Sequence, residues 1–168
     1  MNQNLKKIEI SGIRKFYNKV IQVPDAISLT LGQPDFSVPE GVKSAMIRAI
    51  EENKTGYTSN LGIIELREEI CRYLHGMGIN YIPDEVCVTV GGSQGLYSVL
   101  AALINSGDKA LIPDPSYPAY ASIVKLLGGQ VIDCSLNPDF TLNMDELEEL
   151  IKTQKPKVLV LSFPSNPT

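Results

Sequence analysis

Residues 86–112 read VCVTVGGSQGLYSVLAALINSGDKALI, and this stretch decides the fold class. The β-branched run at 86–90 predicts a strand, and the apolar run at 95–104 predicts a helix after a glycine-rich turn. A second strand is predicted at 109–112. A strand, a crossover helix and another strand form the unit from which parallel α/β sheets are built.

The same alternation continues to the end of the sequence. We predict a helix from about residue 118 to 127, a strand at 130–135, a helix at 143–152 and a fourth strand at 157–162. Upstream, a short helix is predicted within 5–20, and two more at 39–50 and 63–74. The expected fold is therefore α/β, with three layers and a mostly parallel sheet covered by helices on both faces.

Composition limits the classes of function. Of the 168 residues, 43% are hydrophobic and 20% charged, and 15 basic against 19 acidic residues give a net charge of −4. Without a basic run, a nucleic-acid partner is not expected. Without an apolar stretch of about 20 residues, a membrane partner is not expected either. The first residues lack the apolar core of a signal peptide, so the expected location is the cytoplasm.

Cysteine and histidine predict neither a metal site nor a disulfide framework. The three cysteines, Cys71, Cys87 and Cys134, are far apart and show no zinc-binding spacing. Cys87 and Cys134 fall within predicted strands, where we expect buried thiols. The single histidine, His75, ends a helix pattern just before Gly76, where a cation suits the helix dipole.

The first predicted strand leads into Gly91-Gly92-Ser93-Gln94. In open α/β sheets, ligands bind beyond the carboxyl ends of the strands. Small residues between a strand and a helix N-terminus allow backbone N–H groups to converge on an anion such as phosphate. The alternative is a tight turn that needs glycine for its backbone conformation alone.

Two further strand ends carry unusual residues. Pro113-Asp-Pro-Ser-Tyr117-Pro118 stiffens a turn around one aromatic ring, which suits a platform for stacking a flat ligand or a rigid surface loop. Asn166-Pro167 follows the last predicted strand, where a polar side chain can contact a ligand. The isomer of its X-Pro bond cannot be read from sequence.

A dinucleotide site is the alternative use of the glycine turn. Asp114 lies 23 residues after Gly91, near the spacing of about 20 for a ribose-binding acid. However, the G-x-G-x-x-G pattern fails, because Ser93 and Leu96 occupy its second and third glycine positions. We therefore disfavour this alternative.

The motifs together resemble those of class I/II aminotransferases, the fold type I enzymes that depend on pyridoxal phosphate (PLP). The matching segments, in the order of that family, are LGQPDF at 31–36, YT at 57–58 with Gly62 and Leu66-Arg67, TVGGSQ at 89–94, PSYP at 115–118 and SNPT at 165–168. The opening residues 8–16, IEISGIRKF, look most like the N-acetyl-diaminopimelate or aspartate aminotransferase branch.

The resemblance implies a role for each matching residue. The backbone of Gly92, Ser93 and Gln94 would hold the PLP phosphate. Tyr117 would stack on the pyridine ring, and Asn166 would hydrogen-bond its phenolic oxygen. Tyr57 would reach the phosphate bound by a partner subunit, which implies a homodimer with shared sites, and Gly32 would lie against the substrate carboxylate.

The implied reaction is transamination between an amino acid and a 2-oxo acid, in amino-acid metabolism and biosynthesis. The resemblance also implies that no catalytic residue lies within the 168 residues, because the Schiff-base lysine follows the SNPT motif at a distance. We therefore expect an amino-terminal fragment, truncated after its fourth strand, that binds PLP weakly or not at all.

The family pattern also implies a domain division and a strand order. Residues 1–40 would belong to the small domain and the dimer contact, and 41–168 would form an incomplete PLP-binding large domain. The second, third and fourth strands would pair in the order third–second–fourth, and the first would be separated from them. Two alternatives to an aminotransferase fragment stay open: a non-catalytic remnant that acts as an interaction module, and another fold type I activity such as a β-lyase.

Overall fold

The computed structural model describes residues 2–8 and 12–168 and has two compact units. The sheet unit comprises the described residues up to Gln22 together with Val90–Thr168, and the helical unit comprises Val23–Thr89. The predicted boundary between residues 40 and 41 concerns domains of a complete protein and stays a prediction. Part of the predicted helix at 5–20, residues 9–11, lies outside the described residues.

Within residues 2–8 and 12–168, the helices lie close to the positions that the sequence pattern predicts. The α-helices are α1 Gly12–Val20, α2 Glu40–Glu51, α3 Ile64–His75, α4 Gly91–Leu103, α5 Ala119–Leu126 and α6 Met144–Gln154. Two 3-10 helices lie at Gln3–Lys7 and Pro83–Glu85. The α4 helix begins four residues earlier than predicted, so the glycine-rich segment forms its first turn.

Three parallel strands form the sheet in the described residues: β1 Lys109–Asp114, β2 Gln130–Ser135 and β3 Val158–Leu159. Their order is β2-β1-β3, which confirms the predicted pairing of the last three strands. β1 is central and pairs with β2 along its whole length, from Lys109 opposite Gln130 to Asp114 opposite Ser135. β3 is shorter than the predicted 157–162.

Helices cover both faces of the sheet, as predicted for three layers. On one face, α4 and α5 pack against alternate β1 side chains in a cluster of Leu100, Ile104, Ala110, Ile112 and Val124. On the other face, α6 supplies Leu147 to a cluster with Leu111 and Cys134. Because successive strand residues point to opposite faces, β1 is apolar on both sides and is almost fully buried.

The predicted strand at 86–90 is wrong. Residues 86–89 are not part of any strand, and Val90 is the N-cap of α4. A strand requires a neighbouring strand to pair its backbone, whereas the Val88 N–H donates to Leu61 O in a loop, at 2.9 Å. The burial of Cys87 that followed from this strand is also wrong, since Cys87 is exposed, while the predicted burial of Cys134 is confirmed.

A buried arginine organises the helical unit. Arg67 of α3 is only 8% exposed, and its Nη1 donates to Pro83 O at 2.8 Å. The same nitrogen lies 3.5 Å from the Asp84 carboxylate. Arg67 therefore ties α3 to the 3-10 helix that precedes the segment leading into α4.

Candidate functional site

The glycine-rich segment forms the N-terminus of α4. The first N–H groups of any α-helix have no acceptor within the helix, and the helix dipole places partial positive charge there. No acidic residue lies in the first turn of α4, and Val90 provides no side-chain cap. Both features favour an anionic ligand at Gly92 and Ser93.

The two glycines of this turn have different explanations. Gly91 has a φ of +76°, which favours glycine for conformational reasons. Gly92 does not have a positive φ, and a Cβ built on it would have no heavy atom within 4 Å. Neither turn geometry nor packing therefore requires glycine at position 92. The open space beside Gly92 would let a ligand approach the backbone closely, so the residues fit a phosphate group.

Gln94 contributes to the turn in a way that the sequence interpretation missed. Its side-chain Oε1 accepts a hydrogen bond from the Val90 N–H at 2.6 Å. The expected contribution of Gln94 was its backbone alone. An amide side chain in the first turn of a predicted helix was the available signal, because such side chains bond back to the N-cap backbone.

Tyr117 lies between β1 and α5 and is half-buried. Its ring contacts the ring of Tyr120 edge-on, with centroids 5.5 Å apart and planes at 84°. The sequence interpretation identified Tyr117 and missed Tyr120, although two aromatic residues three positions apart at a helix start were a visible signal.

Asn166 is exposed and precedes a cis bond to Pro167, as Asp114 precedes one to Pro115. Ser165 and Ser116, the chain neighbours of Asn166 and Tyr117, line the same shallow, open hollow. The hollow is lined by Pro113, Ser116, Tyr120, Leu136, Phe140, Val160, Ser162, Phe163 and Ser165. The chain neighbours of two expected ring contacts therefore line one hollow beyond the carboxyl ends of β1 and β3, whereas Tyr117 and Asn166 themselves are not among its lining residues. Gly92, Ser93 and Gln94 are not among its lining residues.

Gly32 and Tyr57 belong to the helical unit. A Cβ on Gly32 would have no heavy atom within 4 Å, so the space beside it is open. Tyr57 lies in the loop between α2 and α3, and its side chain is fully exposed. Both residues are therefore accessible for contacts outside their own unit.

The perturbed ionisable groups lie outside the glycine turn. A hydrogen bond from Lys157 Nζ to Asp108 Oδ2, at 2.8 Å, holds the pKa of Asp108 below its usual value. The Thr141 hydroxyl, 2.7 Å from Asp139 Oδ1, likewise lowers the pKa of Asp139. Burial raises the pKa of the Cys134 thiol. Asp108 and Lys157 precede β1 and β3, so their charges lie at the amino edge of the sheet.

Residues 2–8 and 12–168 contain no group of three or more His, Cys, Asp or Glu side chains placed to hold a metal ion. Nor do they contain a helix that is long and apolar enough to cross a membrane.

The sequence of this chain is similar to a known protein family over most of its length. A family model described as "Aminotransferase class I and II" matches residues 24–168. A relative from Bacillus subtilis, a "Probable N-acetyl-LL-diaminopimelate aminotransferase", is 42% identical and covers 100% of the chain. A "Probable aspartate aminotransferase" from Methanocaldococcus jannaschii is 36% identical, again over 100% of the chain.

A solved structure shows the same fold. The aspartate aminotransferase from Thermus thermophilus with maleate superimposes with a TM-score of 0.93 at 31% identity, and the match covers 100% of the chain. The chain spans 43% and 44% of the length of the two curated relatives and 46% of this structure.

Proposed function

The chain belongs to the family of class I and II aminotransferases, and we propose that the complete protein transfers an amino group between an amino acid and a 2-oxo acid with PLP as cofactor. The observation that carries this proposal is the turn at Gly91–Gly92. Its second glycine has no structural requirement of its own and leaves room for a ligand beside the α4 N-terminus. Family membership supplies the identity of that ligand.

Each of the cofactor contacts has a separate physical basis. The N–H groups of Gly92, Ser93 and Gln94, with the Ser93 hydroxyl, would bind the phosphate at the positive end of α4. Tyr117 would stack on the pyridine ring, and Asn166 would donate a hydrogen bond to its phenolic oxygen. When bound, PLP supplies the electron sink for bond breaking at the substrate α-carbon.

For the substrate, we propose an acidic amino acid as the amino donor. The two curated relatives described above are named for N-acetyl-LL-diaminopimelate and for aspartate, and both compounds carry a second carboxylate. Gly32 would lie against the α-carboxylate, where open space beside its Cα admits the substrate.

We also propose that the active form is a homodimer. Tyr57 is fully exposed, and in this assembly its hydroxyl would contact the phosphate bound by the partner subunit. Removing that hydroxyl with Tyr57→Phe should weaken PLP binding by about ten- to a hundredfold, the usual effect of one hydrogen bond to a charged group. Tyr57→Phe with unchanged PLP affinity would contradict this role.

The test of the cofactor site compares Ser93→Asp with Ser93→Ala in the complete protein. An aspartate in the first turn interacts favourably with the helix dipole and should stabilise the helix by about 0.3–1 kcal/mol. It would also place a negative charge against the phosphate. Ser93→Asp should therefore keep or raise the unfolding midpoint while it weakens PLP binding at least tenfold. Ser93→Ala removes one hydroxyl and should weaken binding less. PLP affinity is measured by absorbance titration, and unfolding by circular dichroism in urea.

Equal PLP affinity in Ser93→Asp and the wild type would refute a phosphate site at α4. The reaction is tested separately, with an acidic amino acid and a 2-oxo acid as substrates. Amino-group transfer that depends on the 2-oxo acid supports an aminotransferase, whereas ammonia release without an acceptor supports a lyase. For the 168-residue chain alone, we expect weak PLP binding and no transamination, since the family pattern places the reacting lysine after SNPT.

A further inference from the structure

Tyr120 connects the predicted stacking residue Tyr117 to the core of the sheet unit. Tyr120 is partly buried and packs against the core cluster that includes Ile112 and Val124. Its ring meets the Tyr117 ring at 84°, with centroids 5.5 Å apart, and its N–H donates to Tyr117 O at 3.1 Å. Tyr120 is therefore held by the core and in turn contacts the ring of Tyr117.

The backbone around Tyr117 does not by itself orient the ring. Pro115 and Pro118 restrict the backbone on both sides, but the side chain retains its own χ1 and χ2 torsions. An aromatic residue that stacks on a ligand must keep its plane parallel to the ligand ring. The perpendicular contact with Tyr120 provides such a restraint, because aromatic pairs favour this edge-to-face geometry.

The position of Tyr120 also fits a role near the ligand. Tyr120 lines the open hollow together with Ser116 and Ser165, which adjoin Tyr117 and Asn166. Tyr120 therefore borders the same hollow as the chain neighbours of both expected ring contacts.

We propose that Tyr120 is a positioning residue, which sets the plane of the Tyr117 ring for stacking on the pyridine ring of PLP. This inference rests on the proposed function, because it assumes that PLP is the ligand. It makes the aromatic ring of Tyr120 the required feature, and the Tyr120 hydroxyl dispensable.

The test uses Tyr120→Leu and Tyr120→Phe in the complete protein, with Tyr73→Leu as the matched control. Tyr73 lies on α3 in the helical unit and is 67% exposed. Four quantities are measured: the PLP dissociation constant, the dissociation constant of inorganic phosphate, the circular dichroism of bound PLP, and the unfolding midpoint. Phosphate probes the α4 turn without the aromatic platform.

Tyr120→Leu should weaken PLP binding by about two- to tenfold, the effect of losing one aromatic edge contact. It should also reduce the circular dichroism of bound PLP, which reports the fixed orientation of the cofactor ring. Phosphate affinity should stay within about twofold of the wild type. Tyr120→Phe and Tyr73→Leu should match the wild type in PLP affinity and dichroism.

Three results would overturn the positioning role and leave the proposed function intact. The first is wild-type PLP affinity and dichroism in Tyr120→Leu. The second is an equal loss of PLP and phosphate binding together with a lower unfolding midpoint, which would make Tyr120 a core residue only. The third is a Tyr120→Phe variant as impaired as Tyr120→Leu. A wild-type protein that fails to bind PLP would overturn both proposals.

Discussion

Gly129→Ala is expected to destabilise the sheet unit through a steric clash. Gly129 lies in the turn between α5 and β2, and its φ is not in the left-handed region. A Cβ built there would lie 2.9 Å from Ile104 Cγ2, 2.9 Å from Val124 Cγ1 and 3.2 Å from Asp108 O. Carbon atoms pack best at about 3.5–4.0 Å, so two contacts would be too short by about 0.6–1.1 Å.

The magnitude follows from the burial of the two side chains that would be displaced. Val124 is 0% and Ile104 5% exposed, so neither can move outward. Overpacking a core costs about 1–3 kcal/mol. Replacing glycine also reduces the entropy of the unfolded chain, which offsets about 0.4–1 kcal/mol. The net loss should be about 1–2 kcal/mol, or about 2–8 °C in Tm for a protein of this size.

Urea unfolding followed by circular dichroism measures this loss, and a double-mutant cycle tests its cause. Val124→Ala removes the methyl group that would clash with the new Cβ. In that background, Gly129→Ala should therefore lower the unfolding free energy by at least about 0.5 kcal/mol less than it does in the wild type, a difference larger than the scatter seen for independent sites. Gly107→Ala is the control. Gly107 has a φ of +87° and open space beside it, so its cost of about 1–2 kcal/mol is conformational and should add to that of Val124→Ala. Gly129→Ala with wild-type stability, or additivity with Val124→Ala, would refute the clash.

Three further predictions concern the turn, the substrate and pH. Gln94→Leu removes the acceptor of the Val90 N–H and should lower the unfolding free energy by about 0.5–1.5 kcal/mol. Gln94→Glu keeps an acceptor and should leave the unfolding free energy unchanged. Urea unfolding of both variants measures the difference. Gly32→Ala should raise KM for the amino acid about tenfold or more, because its methyl group would fill the space that the substrate carboxylate is proposed to occupy. PLP affinity and stability should stay unchanged. Steady-state kinetics and PLP titration measure these effects. The ion pair of Asp108 and Lys157 lowers the folded-state pKa of Asp108, so its contribution to stability is present above the ordinary value of 3.8 and lost as pH falls through the lowered pKa. Asp108→Asn should therefore be less stable than the wild type at pH 7, and the difference should shrink as pH falls below 3.8; a difference in urea midpoint that stays constant with pH would contradict the ion pair.

The α/β fold was predictable because its signals are local. The periodicity of apolar residues identified α2 to α6 and the strands at 109–114 and 130–135 within a few residues. The strand at 86–90 failed for a non-local reason. Its β-branched residues favour extended backbone, but a strand also needs a pairing partner, and Val88 bonds a loop carbonyl instead.

The candidate site was predictable in part. The residue types at 91–94, 117 and 166 were visible as a glycine turn, an aromatic between prolines and an Asn-Pro pair at strand ends. The contacts of Gln94 and Tyr120 were not predicted, because they depend on side-chain directions that a residue pattern leaves open.

The amino-acid sequence by itself determined the α/β class, the family and the residues expected to contact the cofactor, since each depends on local periodicity or on short motifs. Only the tertiary structure decided which glycine serves the turn and which leaves room for a ligand, because φ and open space at Gly91 and Gly92 arise from packing. It also decided that the ring of Tyr120 contacts the ring of Tyr117 edge-on. The physical reason is the same in both cases. Backbone angles, open space and ring contacts depend on neighbours that folding brings together, and the spacing of residues along the chain does not identify those neighbours.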